Sequence, residues 1–151
     1  TGSILKMGVE GRNGVLLSDQ WSEGPKTYLG VQVAGFPNLF IVTGPGSPSV
    51  LTNMPQAIDQ NVRWITECIS YLNQNNLTNI EAEVSAMDKW MEHVQDVVTE
   101  TLFPIANHSW YLGANIPGKP QIFMPYVGGL NNYRIICSQI AENEYEGFSC
   151  T

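Results

Sequence analysis

An apolar segment, a stiff loop and an amphipathic segment follow one another between residues 38 and 73, and this order constrains the fold most. Residues 38–44, NLFIVTG, are almost wholly apolar, which is typical of a strand covered on both faces in a parallel sheet. The loop that follows, GPGSPSVLTNMP (44–55), contains two glycines, three prolines and no charge. Open α/β sheets bind ligands at the carboxyl ends of their strands. The order therefore predicts an α/β fold with a candidate binding loop at 44–54.

The segment after the loop is predicted to be a helix over about 55–73. Pro55 suits the first turn of a helix, and Thr52 or Asn53 can cap it. Apolar residues recur at helical spacing and predict one buried face: Ile58, Val62, Ile65, Ile69 and Leu72.

Two further helices are predicted from the same signals. One covers about 85–102, with a capping-box-like start at Ser85 and an end before Pro104. The other covers about 131–144. The apolar face of the first of these two comprises Met87, Trp90, Met91, Val94, Val97, Val98 and Leu102.

The remaining β-rich runs predict further strands. Residues 26–33 (KTYLGVQV) precede a turn at AGFP and the apolar run 38–44, and residues 121–127 (QIFMPYV) are also β-like. Near the N-terminus, Ile4, Met7 and Val9 resemble half of an alternating strand that enters an Asn-Gly turn. No partner for that half strand precedes it, so the sequence predicts a cut through a larger sheet.

Length, charge and cysteine content limit the class of protein. A chain of 151 residues with 43% hydrophobic residues is long enough to bury the core of one domain. The net charge of −7 and the seven Lys and Arg residues argue against nucleic acid as a partner. The three cysteines show no metal-ligand spacing, so free thiols in the cytoplasm are expected. We find no membrane-spanning segment and no signal peptide.

Common catalytic and metal motifs are absent from the sequence. PGKP at 117–120 has proline where a phosphate loop needs Ser or Thr, and no G-x-S-x-G elbow occurs. The i, i+4 carboxylates Asp88, Glu92, Asp96 and Glu100 are interpreted as a solvated helix face, because no His or Cys joins them at ligand spacing. His93 is expected to be solvated as well. We therefore predict no metal site and no catalytic residue in this chain.

Two segments are candidates for binding. The loop at 44–55 leads into a helix whose first backbone N–H groups, at 53–57, would stabilise negative charge; a rigid helix entry without a ligand is the open alternative. The stretch SWYLGANIPGKP (109–120) is too long for a simple connection. It is either a mobile lid within a loop at about 104–120 or an aromatic plug on the core.

Several short sequence motifs, in this order, resemble those of one enzyme family. They are GRNG, DQW, GPKTYLGV, GFPNLFIVTGPGSPSVLTNM, WMEHV, SWYLGANIPGKP, FMPYVGGLNNYR and EYEGF. Together they resemble the C-terminal part of Baeyer-Villiger monooxygenases, the class B flavoprotein monooxygenases that include the phenylacetone and cyclohexanone enzymes. The resemblance covers essentially the whole chain.

The resemblance implies an FAD- and NADPH-dependent enzyme. Reduced flavin would take up O2, and the resulting flavin peroxide would attack a ketone to give an ester or lactone. By the same resemblance Asn53 and Met54 border the flavin. The substrate pocket would be bordered by Ser49, Val50 and Leu51, and Trp110 would close over NADP.

The resemblance also implies that the chain is a fragment of a two-dinucleotide-binding-domain flavoprotein. Residues 1–151 would form a single C-terminal segment of the FAD domain, namely the last strands of its sheet plus C-terminal helices. The glycine fingerprints that hold FAD and NADP pyrophosphates are absent, so an N-terminal partner portion is expected and the chain alone is expected to be inactive. Two alternatives stay open: a non-catalytic binding or pairing module, and a related flavin monooxygenase that oxidises nitrogen or sulfur.

Overall fold

Three long helices and a two-stranded sheet form the protein in a computed structural model that describes residues 2–49, 52–101 and 122–151. The elements, in chain order, are α1 (Gly2–Leu5), a 3₁₀ turn (Arg12–Gly14), α2 (Leu17–Gln20), α3 (Met54–Gln74), β1 (Ile80–Ala82), α4 (Val84–Thr99), α5 (Leu130–Glu142) and β2 (Phe148–Cys150). β1 and β2 pair in antiparallel orientation. The described part is thus a mixture of helices and a small sheet. None of its helices is both long and apolar enough to cross a lipid bilayer.

The three predicted helices are present, with shifted ends. α3 begins at Met54 because the Asn53 side chain accepts a hydrogen bond from the Gln56 N–H at 3.3 Å, and Pro55 lies in its first turn. α4 begins at Val84 after Glu83, which makes no side-chain capping bond. The capping box predicted at Ser85 is therefore wrong.

The predicted strands at 26–33 and 38–44 do not form. Leu29 and Gly30 adopt left-handed backbone angles, with φ of 56° and 73°, and reverse the chain in the middle of the first run. Asn38 and Thr43, with φ of 60° and 53°, interrupt the second run at both ends. A strand also needs a hydrogen-bonding neighbour along its edge. Residues 26–44 instead pack as successive turns.

The other two strand predictions are also wrong. The N-terminal half strand is replaced by the short helix α1, and residues 122–127 carry no strand. Both turns predicted beside the strands are confirmed. Asn13 and Gly14 have φ of 58° and 75° and connect an antiparallel bridge, and Gly35, with φ of 86°, turns the chain at AGFP.

The core lies between α3, α4, α5, the small sheet and the segment 17–36. The Trp64 ring contacts Tyr145 and Phe148, with ring centroids 5.2 and 5.6 Å apart. Its indole N–H donates to the Cys137 carbonyl of α5 at 2.9 Å. One aromatic side chain thereby joins the two helices through packing and through a hydrogen bond.

The buried face of α3 differs from the predicted one. The buried residues are Ala57, Asn61, Trp64, Cys68 and Leu72. Ile58, Val62 and Ile69 of the predicted face are 41%, 47% and 44% exposed. Apolar periodicity located the helix correctly, but the aromatic and small residues of the neighbouring face fill the core.

The three cysteines are free thiols, as predicted. Burial raises the pKa of Cys68 to about 12 and that of Cys137 to about 12. Both thiols lie in the core between α3 and α5 and stay protonated at neutral pH.

We expect the free energy of unfolding to fall as pH rises above about 9. The thiols of the unfolded chain ionise near pH 8.5 and lose protons that the buried thiols retain, so each contributes a slope of up to about 1.4 kcal/mol per pH unit. Urea unfolding from pH 8 to 11 should show a smaller slope for a Cys68→Ala, Cys137→Ala double variant. Cys150→Ala, at a half-buried position, is the control and should remove less of it.

Candidate functional site

Backbone hydrogen bonds hold the described part of the candidate binding loop, residues 44–49, on two sides. The Gly44 N–H donates to the Gly30 carbonyl at 3.0 Å, and the Tyr126 N–H donates to the Ser47 carbonyl at 2.8 Å. Ser47 is fully buried and donates its hydroxyl back to the Gly44 carbonyl at 2.8 Å. The described part of the loop, 44–49, is therefore fixed by the fold and not only by its prolines.

Gly46 allows the closest approach between the loop and α4. Its N–H donates to the Met124 carbonyl at 2.6 Å, and its own carbonyl accepts the Trp90 indole N–H at 3.2 Å. The backbone φ of Gly46 is 83°, and a Cβ there would lie 2.9 Å from the Trp90 nitrogen. Only glycine fits this position without displacing the tryptophan.

A buried relay of hydrogen bonds holds the entrance of the loop. The Asn61 Oδ1 accepts the Thr43 N–H at 2.8 Å, and the Asn61 Nδ2 donates to the Tyr133 hydroxyl at 3.0 Å. The Tyr133 hydroxyl donates to the Leu29 carbonyl at 2.5 Å. Burial raises the pKa of Tyr133 well above its ordinary value, so the phenol keeps the proton that it donates.

The relay ends on two strained residues. Thr43 and Leu29 both have positive φ, which costs a residue with a Cβ roughly 1–2 kcal/mol. Thr43 donates its N–H to the Asn61 side chain, and the Leu29 carbonyl accepts from the Tyr133 hydroxyl; Asn61 and Tyr133 are both at most 1% exposed. Strain of this kind persists only where the surrounding structure over-determines the backbone.

The first turn of α3 offers fewer donors than the sequence predicted for residues 53–57. Pro55 has no N–H, the Gln56 N–H is bonded to the Asn53 side chain, and the Ala57 N–H is bonded to the Asn53 carbonyl. The expectation of free N–H groups at all five positions is therefore wrong. Asn53 and Met54 are the positions left to interact with a ligand.

Two cavities lie where the N-termini of α3 and α5 meet. The larger, of about 340 Å³, lies between the loop and the start of α5 and is lined by Pro48, Thr52, Thr101, Tyr126, Val127, Gly129 and Leu130. The other, of about 270 Å³, is lined by Thr52, Gln56, Gly128, Gly129, Leu130, Asn131, Asn132 and Arg134. Gly129 has no side chain to cap α5. Both positive helix ends and one arginine thus border the same space.

Some predicted site residues lie within the described part of the chain, and others lie outside it. Ser49 is half-buried with φ of 45°, and its carbonyl accepts the Thr52 N–H at 3.2 Å. Asn53 caps α3, and Met54 is its first residue. Val50, Leu51 and Trp110, together with the loop at 104–120, lie outside the described residues. All of their binding roles stay predictions.

The four carboxylates Asp88, Glu92, Asp96 and Glu100 are solvent-exposed, and Asp88 forms an ion pair with Lys26 at 2.9 Å. No group of His, Cys, Asp and Glu that could hold a metal is found among residues 2–49, 52–101 and 122–151.

The expectation that His93 is solvated is wrong. Its ring packs against Trp90 and Tyr126, with centroids 5.5 and 5.7 Å away. Its Nε2 is buried, with no hydrogen-bond partner within the described part of the chain. In the sequence, His93 lies at the edge of the predicted apolar face of α4. This position could have predicted its ring contacts, because a ring there can turn towards the core.

The chain is similar to monooxygenases along almost its whole length. The cyclohexanone 1,2-monooxygenase of Acinetobacter sp. is 42% identical over 147 residues, which cover 97% of this chain and 26% of that enzyme. A Baeyer-Villiger monooxygenase of Pseudooceanicola batsensis is 40% identical over 144 residues, covering 95% of this chain and 26% of that enzyme. The structure of cyclohexanone monooxygenase from Rhodococcus sp. bound to NADP⁺ matches with a TM-score of 0.94 and 37% identity, covering 99% of this chain and 28% of that one.

The chain is a homologue of Baeyer-Villiger monooxygenases. The resemblance inferred from the sequence is thereby confirmed, although no model of a protein family matches the chain. The homologue spans about a quarter of the length of these relatives. The predicted cofactors, FAD and NADP, are those bound in solved relatives such as the OTEMO complex.

Replacing Gly30 by alanine should destabilise the chain more than replacing Gly35. Both glycines have positive φ, but a Cβ at Gly30 would lie 2.5 Å from the Ser47 Cβ, whereas nothing lies within 4 Å of one at Gly35. Gly35→Ala is thus a control for backbone strain alone. We expect the two free energies of unfolding from urea titrations to differ by about 1–3 kcal/mol. Equal losses would mean that the contact with Ser47 relaxes freely.

Tyr133→Phe should lower the free energy of unfolding by about 1–3 kcal/mol, because it removes the donor to the Leu29 carbonyl and the acceptor of one Asn61 N–H in a buried site. Tyr71→Phe, at a half-buried position, is the matched control and should change it by less than about 0.5 kcal/mol. If Tyr133→Phe and Tyr71→Phe lowered the free energy of unfolding equally, in both thermal and urea unfolding, that result would contradict the relay.

Proposed function

We propose that the chain is the C-terminal part of an FAD- and NADPH-dependent monooxygenase that inserts one oxygen atom of O2 beside a ketone carbonyl. The product would be an ester or a lactone. The match to cyclohexanone monooxygenase, which covers 99% of this chain and 28% of that one with a TM-score of 0.94, carries this proposal. An acetone monooxygenase (methyl acetate-forming) of Gordonia sp., 35% identical over 150 residues, supports the same substrate class.

The positive ends of α3 and α5 fit the pyrimidine edge of a flavin. Reduced flavin is an anion, and a helix N-terminus stabilises negative charge by roughly 0.3–1 kcal/mol when it is exposed. Arg134, on the first turns of α5, adds a full positive charge to the same cavity. In this proposal the backbone of Asn53 and Met54 faces the ring. When bound, FAD accepts electrons from NADPH and activates O2.

The loop is proposed to shape the substrate pocket. Ser49, Val50 and Leu51 would border the ketone, and Trp110 would close over NADP. The described support for a pocket at this place is the cavity of about 340 Å³ beside Pro48 and Thr52. The relay through Asn61 would keep the loop in one position against flavin and ketone, which favours the reaction by orienting its partners.

The chain alone is proposed to be inactive. It has no G-x-G-x-x-G sequence, and the pyrophosphates of both cofactors require such glycine loops at the start of a helix. The relatives are about four times longer than the segment they share with this chain. The remaining portion would supply the phosphate sites.

Nitrogen oxidation is the second candidate function. A phenazine N-monooxygenase of Lysobacter antibioticus is 38% identical over 147 residues, covering 97% of this chain and 27% of that enzyme. Identity at this level is close to that of the ketone-oxidising relatives.

The proposal is tested by a chimera in which the chain replaces the matching segment of the Acinetobacter cyclohexanone 1,2-monooxygenase. We expect yellow protein with stoichiometric FAD and NADPH-dependent conversion of cyclohexanone to its lactone, measured by gas chromatography. The isolated chain should be colourless after desalting. A flavin-loaded chimera that oxidises amines or sulfides but no ketone would instead favour the second candidate.

A further inference from the structure

Helix α3 has a second apolar face, most of which the described residues leave exposed. Ile58, Val62, Ile65 and Ile69 follow one another at spacings of four, three and four residues and form an outer stripe along the helix. Ile58, Val62 and Ile69 are 41–47% exposed, and Ile65 is half-buried. The neighbouring face of the same helix carries Trp64 and packs into the core.

The hydroxyls beside the outer stripe are already satisfied. Thr66 donates its hydroxyl to the Val62 carbonyl at 2.7 Å, and Ser70 donates to the Thr66 carbonyl at 2.9 Å. Such bonds to the preceding turn allow a helix face to lose water without leaving an unpaired donor buried. The stripe can therefore be covered without that penalty.

A helix that is apolar on two faces is typical of the interior of a larger protein. This chain covers only 26% of the Acinetobacter relative, while 97% of its own length matches that relative. The stripe also starts at Ile58, one turn after Met54, the position that the proposed function places beside FAD. The portion that holds the FAD phosphates must therefore reach this end of α3.

We propose that the outer stripe of α3 is the docking surface for the cofactor-binding three quarters of the monooxygenase. This rests on the proposed function for the identity of that portion. The stripe packs against an apolar surface of it and keeps the N-terminus of α3 directed at the flavin. A second copy of this chain is the competing occupant.

The first experiment labels exposed side chains with hydroxyl radicals, in the isolated chain and in the chimera with the Acinetobacter relative. Val84 and Ile135, which are 62% and 55% exposed, serve as internal controls on α4 and α5. Labelling of Ile58, Val62 and Ile69 should be lost in the chimera, while the controls keep theirs. Unchanged labelling of the stripe would overturn the proposal.

The second experiment uses variants in co-expression. The tagged chain is produced together with the part of the Acinetobacter enzyme outside the matched segment. Val62→Lys with Ile69→Lys should abolish co-purification, whereas Val84→Lys with Ile135→Lys should not. Both double variants should retain the helical circular dichroism of the isolated chain, because every changed side chain is exposed there. Equal co-purification of both double variants would overturn the proposal.

Two readouts separate this inference from the proposed function and from self-association. Sedimentation of the isolated chain as a dimer that Val62→Lys dissociates would assign the stripe to a second copy, which overturns the inference. A stripe-dependent complex that contains no FAD and oxidises no ketone would uphold the docking surface and refute the proposed function. Loss of both stripe protection and ketone oxidation would refute both.

Discussion

The hydroxyl of Tyr133 is the group on which the arrangement around the loop depends. It accepts from Asn61 of α3, donates to the Leu29 carbonyl, and belongs to α5 itself. Two helices and the turn that supports Gly44 are thereby fixed relative to one another in the absence of solvent. A buried network of this kind is favourable only when every member is satisfied, so its geometry specifies one position for the loop.

The stiffness of the loop has a tertiary origin as much as a local one. Proline fixes φ at single positions, but the hydrogen bonds from Gly44, Gly46 and Tyr126 set where the loop lies. Gly30 and Gly46 are needed because Ser47 and Trp90 occupy the space of a side chain. The same contacts bring the N-termini of α3 and α5 beside one another, which creates the electropositive edge proposed for flavin.

Helices and tight turns were predictable from this sequence, whereas strands and side-chain contacts were not. Asn53 and Pro55 start a helix through atoms within one turn of each other, so the signal is local. Extended runs such as 38–44 depend on neighbours that are remote in the chain. The left-handed angles of Leu29 and Thr43 run against residue preference, since bonds to distant side chains impose them.

The sequence by itself predicted the similarity to Baeyer-Villiger monooxygenases, the three helices and the loop as a candidate site. The similarity follows from short sequence motifs in a fixed order, and the helices follow from apolar spacing and capping residues. All of these signals act over short separations along the chain. Only the tertiary structure decided that Trp64 and not Ile58 or Val62 enters the core, that the Nε2 atom of His93 is buried, and that α5 joins the site. Each of these depends on the volume and hydrogen-bonding groups that distant segments present, which periodicity along one helix does not contain.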